Sequence, residues 1–115
     1  MNEILDKITT IIEDYNSSDG HHPEGLLNMA RTLAANLFFL EKHRANIQKK
    51  FEGQKYLLIN NDGMPVSKAE NVCNFRYPEM YMLRRVMEAG YKNLDIMRSE
   101  VSWLRAEMNN TNING

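Results

Sequence analysis

Residues 80–108, MYMLRRVMEAGYKNLDIMRSEVSWLRAEM, decide the fold of this chain. Met80, Leu83, Met87, Gly90, Leu94, Met97, Val101, Leu104 and Met108 recur at alternating steps of three and four, the spacing of a helix that packs along another helix. A second stretch carries the same rhythm: Leu26, Ala30, Leu33, Leu37, Leu40, Arg44, Ile47 and Phe51. Two matched seams of this length predict an all-α protein built on a long antiparallel helical hairpin, with arms of about 23–60 and 67–108.

The connection between the arms follows from local chemistry. Asn60-Asn61-Asp62-Gly63-Met64-Pro65 is the strongest turn signal in the chain. Ser67-Lys68-Ala69-Glu70 fits a capping box opening the second arm. Pro78 should kink or restart that arm, because proline has no N–H to donate and clashes with the preceding turn. Folding back at Gly63–Pro65 places Phe51 against Met80, Leu58 against Cys73 and Pro23 against Met108. Gly90 then falls opposite Leu40 to Arg44, where a missing side chain makes room for a bulky one. A small β-hairpin, 55–59 against 64–67 around Asp62-Gly63, is the competing local reading.

Ahead of the hairpin, Ile4, Leu5, Ile8, Ile11, Ile12 and Tyr15 fall on one face of a short amphipathic helix within residues 1–16. A turn-rich linker leads from it to Pro23, which suits a helix start. The chain thus reads as one helical domain over 1–108, followed by a polar tail, 109–115, expected to be disordered.

With 43% hydrophobic and 25% charged residues, the composition is that of a folded globular chain. No run approaches a membrane span, and Met1 to Asp6 lacks the basic start of a secretory signal. Cys73 is the sole cysteine, read as a small buried side chain of a protein in a reducing cytoplasm. His21, His22 and His43 make a poor chelate and read as turn and cap residues, so no metal is expected. There is no phosphate loop, nucleophile elbow or paired-cysteine cluster. Neither an enzyme, a cofactor nor a small-molecule substrate is therefore expected.

Net charge is −1, but it is unevenly spread: residues 1–40 carry −4, residues 41–92 carry +4, and the remainder −1. In the hairpin, Lys49, Lys50, Lys55, Lys68, Arg76, Arg84 and Arg85 gather towards the bend. Aromatic residues including Tyr56, Phe75, Tyr77 and Tyr81 are interleaved with them. Cations for phosphates beside rings for stacking are what single-strand binders use. Lys49, Lys50, Lys55, Lys68, Arg76, Arg84, Arg85, Tyr56 and Tyr77 are accordingly the candidate nucleic-acid residues. A second apolar line, Met82, Val86, Ala89, Ile96 and Trp103, together with Phe38, is left over from the seam. It predicts a homo-oligomeric helical bundle or another protein interface.

The runs Ser67-Lys68-Ala69-Glu70, Tyr77-Pro78-Glu79-Met80-Tyr81, Glu88-Ala89-Gly90-Tyr91-Lys92, Met97-Arg98-Ser99 and Trp103-Leu104 resemble the C-terminal half of small helical phage proteins. With Leu37–Phe51 before them, the layout over 25–108 is similar to that of the UvsY-like recombination mediators. The resemblance implies a self-associating accessory protein of the host cytoplasm that acts on single-stranded nucleic acid or on a nucleic-acid-handling protein. No functional residue is carried over from the family. A rival from another class is a small inhibitor of a host defence nuclease, of the anti-CRISPR or anti-restriction type, whose acidic first helix occupies the target's groove.

Overall fold

The computed structural model describes residues 2–18 and 20–114, with side chains as far as residue 110. Four helices follow in order: α1 (Asn2–Ser17), α2 (Pro23–Asn60), α3 (Val66–Arg76) and α4 (Glu79–Asn114), with no strand among the described residues. Helix α4 returns along α2, α3 folds back on the end of α2, and α1 lies along α2 while touching α4. The result is a rod of 73 × 23 × 18 Å. Its radius of gyration is 20.1 Å, whereas a compact chain of this length would have about 13 Å.

The seam is as the spacing requires. Leu26, Ala30, Leu33, Leu37, Leu40 and Ile47 of α2 and Met80, Leu83, Met87, Leu94, Met97 and Val101 of α4 are buried in one continuous core. Each large side chain contributes roughly 1.5–3 kcal/mol by leaving water. Ile8 is fully buried in the same core and anchors α1, flanked by Ile4, Leu5, Ile11, Ile12 and Tyr15. Leu58, Ala69 and Cys73 form a small second core that ties α3 to the end of α2. The Cys73 thiol donates to the Phe51 carbonyl at 3.8 Å.

The helix ends have identifiable causes. Pro23 starts α2, and His22 Nδ1 accepts from the Glu24 N–H at 3.4 Å. Gly63, at φ +66°, turns the chain beyond α2, and the Met64 N–H returns to the Leu58 carbonyl at 3.0 Å. Pro78 ends α3. Tyr77 leaves helical geometry at φ −123°, ψ 61°, and Met80 N–H restarts the chain on the Tyr77 carbonyl at 3.2 Å.

Several expectations are corrected. Residues 55–60 remain helical, so the β-hairpin is not formed. Pro65 occupies the N-cap of α3 with no side-chain cap bond, which leaves Ser67 inside the helix. Glu70 is drawn instead to Lys55, 2.9 Å away on α2. Gly90 faces Leu37, about one turn from the Leu40–Arg44 level expected. Likewise His21, just before Pro23, approaches Glu100 and not Met108. The turn is short and α3 begins at Val66, so α4 sits about a turn or two further along α2 than a symmetric fold-back implies. Helix α4 also runs through the supposed tail to Asn114. None of the described helices is long and apolar enough to cross a membrane.

The linker is held to the hairpin by three residues. His21 stacks on Tyr15 at 4.6 Å and 7°. Its Nε2 lies 3.9 Å from Glu100 Oε2, a buried oxygen with no hydrogen-bond partner among the described residues. Desolvation, reinforced by a hydrogen bond and the charge of Glu100, holds the Tyr15 hydroxyl above the ordinary 10.0. A raised folded value means the neutral hydroxyl contributes stability that is complete below pH 10 and lost as pH climbs through the raised value. Proteolysis of the 18–22 linker should therefore accelerate above pH 10 in the native chain. In Tyr15→Phe that acceleration should be smaller.

Candidate nucleic-acid interface

The bend end of the rod carries the candidate residues, on three helices whose breaks decide what each side chain meets. Because α3 stops at Arg76 and α4 restarts at Glu79, a notch of about 590 Å³ opens between them and α2. Phe51, Lys55, Glu70, Tyr77, Tyr81 and Arg84 are among its walls. Tyr77 is half-buried and leans on Phe51, with ring centres 6.3 Å apart. Three of the nine sequence-predicted residues, Lys55, Tyr77 and Arg84, thus share one concavity.

Lys55 is the least free of them. Its ammonium is bonded to Glu70, and that hydrogen bond holds it above the usual lysine range. It is a strut between α2 and α3, and much of its charge is already matched. Lys49, Lys50, Lys68, Arg76 and Arg84 are exposed, and none makes a salt bridge among the described residues. Lys49, Lys50 and Tyr56 stand on α2 away from the notch, and Lys68 and Arg76 stand on α3. Arg85 donates to the Tyr81 hydroxyl at 2.7 Å and lies 5.5 Å from that ring's centre. This pre-sets a cation beside an aromatic face.

The structure also singles out Phe75, which the pattern of cations alone does not rank above its neighbours. Ala69 and Cys73 turn inward on α3, so Phe75 projects from the opposite side at 88% exposure, next to Arg76. A helical wheel of 66–76 anchored on Cys73 contains that signal. Tyr81 and Tyr56 are similarly open, at 67% and 64%. Between 49 and 85 the chain carries seven bases against four acids, and one base, Lys55, is consumed internally.

The proposed interface line behaves differently along its length. Val86 is half-buried against the core, while Met82, Ala89, Ile96 and Trp103 are exposed. Phe38 is exposed beside Phe39 on α2, with the Lys42 ammonium 5.0 Å from its ring centre. Among the described residues no three histidine, cysteine or carboxylate side chains cluster as a metal would require. Comparison with protein-family models, with curated proteins and with solved structures finds no match to this chain.

Proposed function

We propose that this chain is a non-enzymatic accessory protein that binds single-stranded nucleic acid through its bend end, in the manner of a recombination mediator. The observation that carries the reading is Phe75: a phenyl ring left almost wholly in water, flanked by Arg76 and within a field of unmatched cations. Folding leaves this ring unused, whereas an unstacked base offers it a planar partner. The exposed bases supply phosphate contacts on either side. The notch between α2, α3 and α4, lined by Tyr77, Tyr81 and Arg84, adds a second place where a base can lie against a ring.

The test is a fluorescence-anisotropy titration of a labelled oligothymidylate over a range of salt. Six unmatched cations, Arg85 among them, at about 0.7 per phosphate contact, predict that log K falls with log salt at a slope near −4. No binding at about 20 mM salt, where the Debye length exceeds 20 Å, would remove the reading.

A second reading rests on the other end of the rod. Glu3, Asp6, Glu13 and Asp14 are all exposed on α1, and only Lys7 opposes them there. Such a face suits the basic groove of a nuclease, and loss of nuclease activity on adding the protein would favour this inhibitor reading over the first.

A further inference from the structure

Helix α4 has a face that neither α2 nor α1 covers. Met82, Ala89, Ile96 and Trp103 recur every seven residues, and the three large side chains are 57%, 45% and 59% exposed. At 1.5 Å per residue the line is about 32 Å long. It is complementary in size about its own centre. Read in the opposite direction, Met82 exchanges with Trp103 and Ala89 with Ile96, so a reversed copy sets a small residue against a branched one.

Charge selects the same direction. Residues 41–92 carry +4, and residues 1–40 together with 93–115 carry −5. The fold converts this sequence asymmetry into a spatial one. Gly90 of α4 sits on Leu37 of α2, and Glu100 lies beside His21. The stretch of α4 beyond residue 93 therefore lies alongside α1 and the first half of α2, at the acidic end, while 41–92 forms the basic bend end. A parallel pair of such rods stacks like charge on like. An antiparallel pair lays each basic end against an acidic one.

We propose that two copies of this chain pair antiparallel along α4, through Met82, Ala89, Ile96 and Trp103, about a two-fold axis near Lys92 and Asn93. The interface is isologous, as a two-fold requires. It leaves Phe75 and Arg76 of the two copies at opposite ends of a longer rod. This inference does not depend on the nucleic-acid reading: the dimer can form whether or not the bend end binds a strand.

Sedimentation velocity over a concentration series tests the surface, and cysteine cross-linking tests the direction. The native chain should shift from monomer to dimer mass as concentration rises. Ile96→Glu combined with Trp103→Glu should weaken that association at least tenfold with unchanged far-UV dichroism, since both side chains are exposed. A chain that stays monomeric into the millimolar range, or a dimer indifferent to the double variant, overturns the surface. For the direction, the native chain is the control because Cys73 is buried. Lys92→Cys should form a disulfide with itself. Arg85→Cys and Ser99→Cys should link to each other when mixed and not to themselves. Self-linkage at Arg85→Cys, or a dimer that fails to link through Lys92→Cys, overturns the antiparallel arrangement.

Discussion

Leu37→Ala is expected to destabilise the protein by about 2–5 kcal/mol, read as a drop in the urea midpoint of far-UV dichroism. Leu37 is 1% exposed and packs directly against Gly90 of α4. A Cβ built on Gly90 would lie 2.6 Å from Leu37 Cδ2, well inside van der Waals contact. Gly90→Ala therefore sets two effects against each other. Overpacking costs about 1–3 kcal/mol, while alanine gains roughly 1 kcal/mol over glycine in a helix interior. With Leu37 held by buried neighbours on both arms, overpacking should win by up to about 2 kcal/mol. Combining the two substitutions reverses the sign. Once Leu37 is truncated, the space it leaves accepts the methyl group, and Gly90→Ala should then recover about 1 kcal/mol. Such non-additivity is the mark of direct contact. Strictly additive costs would mean that Gly90 and Leu37 do not meet.

That contact also shows how far the sequence could be read. The three-four rhythm from Leu26 to Ile47 and from Met80 to Val101 identifies the buried residues almost one for one, because burial on a helix pair is a matter of period. Register is not. Which residue faces Gly90 depends on where the turn begins and how α3 docks, and a slip of one turn preserves the same apolar face. The opening of α3 failed for a related reason. Ser67 and Glu70 have the spacing of a capping box, but Pro65 starts the helix two residues earlier and Lys55 offers Glu70 a cross-helix partner.

The candidate site divides along the same line. Its cations were visible as a local excess of charge, and helical geometry alone sends them towards the bend. Their availability was not visible, since Lys55 is matched by a residue 15 positions away. Phe75 was ambiguous because a phenylalanine in an amphipathic stretch ordinarily belongs to the core. Only the inward choice of Ala69 and Cys73 turns it outward.

Separating charge from stacking at the bend gives the second large effect. Lys68→Gln, Arg76→Gln, Arg84→Gln and Arg85→Gln together remove four positive charges from exposed positions, so helicity should be unchanged. At about 0.7 per contact, the slope of log K against log salt should flatten by roughly 3, and affinity at low salt should fall more than 100-fold. Phe75→Ala leaves every charge in place. It should weaken binding by about 1–3 kcal/mol, or roughly 5- to 150-fold, at an unchanged slope. The two results discriminate between kinds of interface. A strand held only by its phosphates would respond to the charges and ignore Phe75, and would not distinguish single from double strands by stacking. A loss with Phe75→Ala that persists at every salt concentration requires a base against that ring. It also requires the strand to reach α3, since Phe75 and Arg76 stand there and nowhere near the acidic end of the rod.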